Sequence, residues 1–548
     1  MHTTHPRPSI DPFPGNPSGL VPVRRVLVSV FDKTGIEGLA QALSEAGIRV
    51  ASTGGTRSAL EKLGLEVEDV STITGFPEVL DGRVKTLHPR IFAGVLARRH
   101  LEDDLGVLAE HRIDTFDAVI VNLYPFERVA SAANATVEEC IELIDIGGPS
   151  LVRAAAKNHL FTAVVSSPDQ YDSFVEAIAK GGTTLADRKR LAAKAFERTA
   201  DYDRGIAAWM VGYAAGSQPL AADEASPLPE RFSLDLERRL PLRYGENPHQ
   251  AASLYCPMGS RGGLAGLHQL SGKELSYNNL ADLDAAMRLA WLFDEPAAIV
   301  VKHTNPCGAA AASSPAEALA TAMAADPTSA FGGIVAVNRP FDRATAEVLL
   351  APGMFLEVIA APAFEPEAVE LLTTKPSWKA NVRLVTLPAG DPWKATHGLE
   401  LKTVAGAILA QEPDDSADDP ATWRVVTKAA PPEPLLRDLA FAFTVVRRLS
   451  SNAIAVCKGK SLVGAGLGQT SRVDAVRHAI EKAGDRVRGA VLASDAFFPF
   501  PDSVDLAVKA GIAAVIQPGG SKRDGEVIAA CDAAGLPMVF TSRRHFRH

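Results

Sequence analysis

The chain has 548 residues, more than one hydrophobic core usually serves, so two or more domains of roughly 100 to 200 residues are expected. Its 47% hydrophobic and 22% charged residues are those of a folded soluble protein and exclude a disordered one. A formal charge of -9 and a pI near 5.9 exclude a general binder of nucleic acid or anionic membrane, whose phosphates reward clustered Lys and Arg.

Residues 1–24 carry six prolines from Pro6 to Pro22 and no apolar segment, so they are expected to form a disordered extension, neither signal peptide nor membrane anchor. Order begins near Arg25. The pattern predicts a strand over 26–30, a helix over 36–46, a strand over 48–51, a helix ending near 63, and strands over 118–121 and 162–165. Strands alternating with helices imply a parallel, doubly wound α/β domain over 25–215. Residues 216–230 lack a hydrophobic period and carry three prolines, which marks a linker. Beyond it, strand-like runs over 298–301, 333–337, 454–458, 490–493 and 513–516 alternate with Ala-rich helical stretches. This second α/β region, 231–548, is long enough for two subdomains, divided near the acidic stretch 411–419, which reads as a solvated loop.

Cys140, Cys256, Cys307, Cys457 and Cys531 form no Cys-x-x-Cys pair and are odd in number, which suits free thiols in a reducing compartment. In the first domain, Thr53-Gly54-Gly55-Thr56 lies at a strand-to-helix turn, where glycines and helix N-terminal amides suit a phosphate, although an ordinary tight turn has the same composition. Arg83, Lys85 and His88 add basic groups in a loop. Asp145-Ile146-Gly147-Gly148 leads into a helical run in which Arg153 and Lys157, four apart, share one face.

In the second domain, the apolar run 297–301 ends in Lys302 and His303 and meets Thr304-Asn305-Pro306-Cys307-Gly308. That layout predicts a buried strand stopped by an Asn-Pro turn, with two proton-handling side chains at the sheet edge. Arg243-Tyr244-Gly245-Glu246-Asn247-Pro248 offers a forked anion donor beside an aromatic. Ser494–Phe500 reads either as core or as a ligand platform, and the basic run 543–548 as solvated surface. Cys307 beside His303 invites a zinc-deaminase reading, but no second Cys lies three positions on and no His-x-Glu precedes it, so no zinc is expected.

Taken in order, Phe31-Asp32-Lys33-Thr34-Gly35, Thr53–Thr56, Gly82–Pro89, Asn122–Phe126, Asp145–Gly148 and Arg153–His159 resemble an IMP cyclohydrolase domain. Arg243–Gln250, Lys302–Gly308, Ser494–Phe500 and the final Arg-His-Phe segment resemble AICAR transformylase. The chain therefore resembles the bifunctional transformylase/cyclohydrolase family from about residue 25 onward. The resemblance implies a methylglyoxal-synthase-like domain followed by a pseudo-duplicated, zinc-free cytidine-deaminase-like domain. It implies that 5-aminoimidazole-4-carboxamide ribotide (AICAR) takes a formyl group from the cosubstrate 10-formyltetrahydrofolate. The formylated product, FAICAR, then closes to inosine monophosphate, IMP.

By the same resemblance His303 is the base for the amine, Lys302 assists at the formyl oxygen or folate N10, and Asn452 is the carboxamide partner. Arg243, Tyr244, Gly332, Glu357, Arg472, Phe497 and Arg544 hold the ribotide, and Val473, Asp502, Ser521 and Lys522 match folate-side positions. For ring closure Lys157 is the proton donor or acceptor, with Tyr124 and Asp145 in support. Phe31, Asp32, Lys33, Thr53 to Thr56, Arg83, Val84, Lys85, Thr86, Asn122 and Ile146 bind phosphate, ribose or base. A homodimer, a cytoplasmic setting and no nucleic-acid or membrane partner complete the expectation. A non-catalytic nucleotide-binding regulator and a metal-dependent deaminase are the rival readings.

Overall fold

The computed structural model describes residues 12–13, 16, 18–132, 134–214, 228, 234, 236–257, 260–388, 398–415 and 417–548. The chain divides into two compact units, Met1–Ser226 and Pro227–His548. Among the described residues no helix is long and apolar enough to cross a membrane.

The first unit holds five strands: β1 (Arg25–Val30), β2 (Arg49–Ser52), β3 (Val67–Asp69), β4 (Ala118–Asn122) and β5 (Ala163–Val165). They pair in the order β3-β2-β1-β4-β5, all parallel. Residues such as Val26, Leu27, Val119 and Ile120 are fully buried, as strands covered by helices on both faces require. Chain order reverses between β1 and β4, so a crevice opens beyond their carboxyl ends. Helices α1 (Gly54–Lys62), α2 (Gly147–Lys157) and α3 (Leu185–Ala214) border it or brace it.

The expectation of a disordered stretch up to residue 24 needs correction, although residues 1–11 lie outside the described ones. Phe13 packs on Phe161 with ring centroids 5.5 Å apart, and Val21 exchanges backbone hydrogen bonds with Thr183. The buried Arg188 guanidinium donates to Gly19 O at 2.8 Å. Burying an arginine on backbone carbonyls ties this segment to α3.

The second unit opens with the hairpin β6 (Leu236–Leu242) and β7 (Ala252–Pro257), which the pattern of the sequence did not reveal. One six-stranded sheet follows, of β8 (His268–Ser271), β9 (Ala297–Lys302), β10 (Asn305–Ala311), β11 (Gly333–Val337), β12 (Leu356–Ala361) and β13 (Arg383–Thr386), in the order β10-β9-β11-β12-β13-β8. After the hairpin β14 (Glu400–Val404) and β15 (Ala407–Gln411) comes a second six-stranded sheet. Its strands are β16 (Arg424–Val425), β17 (Ile454–Cys457), β18 (Leu462–Gly466), β19 (Val491–Ser494), β20 (Ala514–Gln517) and β21 (Met538–Phe540), ordered β18-β17-β19-β20-β21-β16.

Strand senses match position by position between the two sheets, so the unit is an internal duplication. Helices α4 (Tyr277–Ala290) and α6 (Glu433–Val446) each cover their own sheet, the first and the second, within one shared core that includes Leu283, Ile299, Phe443 and Ala455. Helices α5 (Pro315–Ala325) and α7 (Arg472–Ala483) cover the outer faces, in separate clusters with Val300 and Val456.

Candidate functional sites

In the first unit, Asn122 at the end of β4 reaches across to β1. Its Oδ1 accepts from the backbone N–H of Phe31 (2.6 Å) and Asp32 (2.9 Å), and its Nδ2 donates to Asp32 O at 2.7 Å. One amide thus fixes the loop that carries Lys33. Phe31 and Tyr124 stack edge-on, ring centroids 5.4 Å apart, at the mouth of the crevice. Thr56 exchanges two hydrogen bonds with the backbone of Val30, whereas Thr53 precedes α1 without capping it, leaving the first amides of α1 for an anion.

The loop of Arg83, Val84, Lys85 and Thr86 spans two helix starts. A Cβ on Gly54 would lie 3.0 Å from Lys85 Nζ, and one on Gly147 would lie 2.9 Å from Thr86 Oγ1. Lys85 and Val84 line a cavity of about 270 Å³ together with Thr53, Gly54, Glu78 and His88. Arg83 is exposed and paired with Glu142, and Ile146 is exposed at the start of α2.

Asp145 accepts the N–H of Gly148 at 2.8 Å, while its own N–H donates to the Tyr202 hydroxyl at 2.8 Å. Burial raises its pKa above the ordinary carboxylate value, against backbone hydrogen bonds from Gly148, Tyr124 and Gly147 that lower it. Burial also raises the Tyr124 pKa, with the Asp145 charge adding to it. The two side chains therefore share one electrostatic environment.

Lys157 is not brought to this place. It ends α2, ten residues beyond Gly147 and about 15 Å along the axis from the end that carries Asp145. The next residue, Asn158, bonds Val95 O and Ala97 O, and Thr162 bonds Phe116 O at the amino edge of β4, opposite the crevice. Its helix-face partner Arg153 lies over the Phe196 ring of α3 at 5.6 Å, and both Arg153 and Lys157 are exposed. Helix spacing alone did not reveal which end of α2 faces the crevice.

In the second unit the Asn-Pro stop is also corrected: Asn305 and Pro306 belong to β10, which returns antiparallel to β9 with Asn305 opposite Lys302. His303 (φ 53°) and Thr304 (φ 60°) form a two-residue turn, both in the left-handed region. The corresponding turn between β17 and β18 is Gly459 (φ 58°) and Lys460 (φ 55°). Left-handed backbone costs a β-substituted residue about 1 kcal/mol, so the duplicate carries glycine where this copy carries His303. This histidine in left-handed backbone at the hairpin tip makes the turn a candidate functional position.

Lys302 Nζ donates to Phe331 O at 2.7 Å, next to Gly332 at φ 71°. Lys302, His303, Asn305, Cys307, Asp326 and Lys482 line a cavity of about 280 Å³. Burial pushes the Cys307 thiol up to about 12, so it stays protonated, a poor metal ligand and a poor nucleophile. Among the described residues no group of three or more His, Cys, Asp or Glu could hold a metal ion.

Arg243 lies over Tyr244 at 5.4 Å, and the Tyr244 carbonyl accepts the Tyr277 N–H at 3.1 Å. Glu357 accepts from Asn279 Nδ2 at 2.9 Å and pairs with Arg383 at 3.6 Å. Glu357, Arg383 and the His303 hairpin belong to the first sheet, whereas Arg243 and Tyr244 follow β6 of the separate hairpin. The carboxyl edge of β19, β20 and β21 gathers Phe497, Asp502, Ser521, Lys522 and Arg544, because parallel strands bring their following loops together. Asn452, before β17, joins that edge since β17 runs antiparallel to β19.

Arg472, which starts α7 beside Val473, is turned inward. It is 7% exposed, donates to Asn452 Oδ1 at 2.6 Å and Ser494 Oγ at 2.9 Å, and is paired with the fully buried Asp495. It stands behind Asn452 as a support. Reading motifs singly missed Asp282, Asp495 and Arg383, whose signal would have been a lone charge at a buried position.

A family model described as the AICARFT/IMPCHase bienzyme matches residues 155–482, and one described as an MGS-like domain matches 35–150. The Bifunctional purine biosynthesis protein PurH of Rhodopirellula baltica is 53% identical over 533 residues, covering 97% of this chain and 100% of that protein. Proteins of the same name from Mycobacterium marinum and Sorangium cellulosum are 46% and 50% identical, each over 96% of this chain and over 98% and 100% of their own. The chain belongs to the AICARFT/IMPCHase bienzyme family. The solved structure of ForH covers 34% of this bienzyme-family chain and 97% of its own, at 36% identity and a TM-score of 0.30. The bienzyme model begins inside α2, whereas the compact units part at residue 226.

Proposed function

We propose that the two activities of the bienzyme family are divided between the units: ring closure of FAICAR in the first, formyl transfer to AICAR in the second. The observation that carries the transfer reading is the His303–Thr304 turn, held in left-handed backbone where the duplicate turn begins with glycine. The AICAR amine sits on an electron-poor ring and needs a base. His303 takes its proton as nitrogen attacks the formyl carbon of 10-formyltetrahydrofolate. The bond from that carbon to N10 breaks, and N10 takes up a proton as tetrahydrofolate leaves.

Lys302, anchored on Phe331 O, retains two N–H bonds for the oxygen that gains charge, and Asn452 presents its supported amide to the carboxamide. Arg243, Tyr244, Gly332, Glu357, Phe497 and Arg544 serve the ribotide, with Val473, Asp502, Ser521 and Lys522 on the folate side. In the first unit the carboxamide nitrogen attacks the formyl carbon within one molecule, so holding the two together supplies much of the rate and water is lost as the ring closes. Tyr124 and Asp145 handle protons there. The lysine whose placement supports a role beside them is Lys85, over the anion-binding start of α1, and not Lys157.

The reading keeps no tightly bound cofactor, no zinc, a cytoplasmic homodimer and no nucleic-acid or membrane partner; the acidic balance and dispersed thiols support it. The test is to supply purified His303→Ala with AICAR and 10-formyltetrahydrofolate, and separately with FAICAR. Loss of formylated product with ring closure retained is the expected outcome. Loss of both in a folded protein would reject the division of labour.

A further inference from the structure

The segment Thr541–His548 follows β21, and its basic run 543–548 reads from sequence as solvated surface. In the structure it runs across the transfer site. Arg547 Nη1 donates to Thr304 O (2.9 Å) and Arg448 O (2.7 Å), and the Arg547 backbone exchanges bonds with Ser451, its N–H to Ser451 Oγ at 3.1 Å and its O from Ser451 N at 2.9 Å. The His545 N–H donates to Asp495 O at 3.0 Å. One short segment therefore touches the turn of His303, the loop of Asn452 and the aspartate behind Arg472.

What holds this segment is a buried ion cluster. His545, whose side chain is 0% exposed, places Nδ1 2.7 Å from Asp414 Oδ2 and Nε2 3.2 Å from Asp418 Oδ1. A carboxyl group on each ring nitrogen best matches an imidazolium with a proton on each side, and the His545 pKa is raised. Arg447, just past the end of α6 and 3% exposed, bonds Asp414 O at 2.6 Å and lies 3.5 Å from Asp418, so a second cation faces the two carboxylates. Arg448 Nη2 reaches Asp414 O at 3.3 Å, Arg543 stands 3.9 Å from Asp418, and the Phe443 ring closes the remaining side at 5.3 Å. Gln411, Glu412, Asp415, Ala417 and Asp419 are exposed, as expected of a solvated loop, while Asp414 and Asp418 turn toward this cluster.

We propose that His545 is a positioning residue for formyl transfer: as an imidazolium clasped by Asp414 and Asp418, it locks segment 541–548 across the turns that carry His303 and Asn452. It touches no reacting atom and acts through Arg547 and Ser451. Burial alone would lower the imidazole pKa, but the bonds to Asp414 and Asp418 outweigh it and the pKa stands above 6.5. Burial opposes ionisation of Asp414 as well, yet the His545 bond and the Arg447 charge hold its pKa below 3.8. The clasp therefore loses its imidazolium as pH rises from 6.5 through the raised His545 value, and the Asp414 charge is lost as pH falls from 3.8 through its lowered value.

The proposal rests on placing transfer at His303 and Asn452; that placement fails separately, if His303→Ala retains transfer. The test uses the full chain with His545→Asn, which keeps one donor without the charge, and Asp418→Asn, which weakens the clasp from the other side. Expected are a fall in transfer kcat/KM of about tenfold in His545→Asn with FAICAR closure within twofold, and in Asp418→Asn an alkaline limb of transfer displaced to lower pH. Unchanged transfer in His545→Asn, an equal fall in both activities, or an alkaline limb that Asp418→Asn does not move would each overturn it.

Discussion

The backbone N–H of Thr304 donates to Asp282 Oδ1 at 2.6 Å, so a carboxylate on α4 holds the turn that carries His303. The duplicated half repeats the device, with Asp438 of α6 accepting from Gly459 N at 2.8 Å and Lys460 N at 3.0 Å. Asp282→Ala is expected to free the turn, leaving a part-buried amide unpaired at a cost of about 1–3 kcal/mol and lowering transfer kcat roughly tenfold. Asp438→Ala should leave transfer within about twofold; steady-state assays of both variants with 10-formyltetrahydrofolate check the pair.

Strain at His303 predicts a trade between stability and activity. His303→Gly is expected to raise unfolding free energy by about 1 kcal/mol while lowering transfer by at least about 100-fold. Denaturant melts beside transfer assays measure the two effects, and a less stable glycine variant would remove strain from the account.

For ring closure the two lysines separate cleanly. Lys85→Gln should lower FAICAR closure about 100-fold, whereas Lys157→Gln should change it by less than about threefold. Equal losses in the two variants would mean that the crevice of one chain is not the whole site.

Arg472 and Asp495 form a buried ion pair behind Asn452, and Asp495 is 0% exposed. Asp495→Ala leaves the guanidinium buried without its partner, an expected loss of about 3 kcal/mol in stability. Arg472→Lys keeps the charge but loses the fork, so transfer should fall with Asn452 unsupported while FAICAR closure stays unchanged.

Asp145 gives a pH signature with a definite sign. Its pKa is raised in the fold, so above 3.8 the native state holds the proton more tightly than the unfolded chain, and stability declines as pH rises through the raised value. Asp145→Asn should therefore be more stable than the parent at neutral pH, with no such difference at pH 3, and should lose ring closure. Thermal melts across pH check it; a variant less stable at neutral pH would show that the carboxylate contributes stability there.

The strand-helix alternation, the two α/β regions and the positions of the motifs are properties of the sequence alone, because buried strands read as apolar runs such as Val26–Val30 and anion-binding turns carry their glycines visibly. Lys302 and His303 stood out as two ionisable groups ending a buried run, a pattern that chance exposure after a strand gives as readily. The long-range partners were not legible. No local pattern links Thr304 to Asp282, Asn452 to Arg472 and Asp495, or His545 to Asp414 and Asp418, since each bond joins loops brought together only by sheet order. Tertiary structure alone decided which end of α2 faces the crevice, and it set Lys85 beside Gly54 at the start of α1. It also decided that His545 of the basic run is buried against Asp414 and Asp418 while Arg543, Arg544 and His548 stay exposed, because burial makes an unpaired charge costly and so selects the partner that local sequence does not reveal.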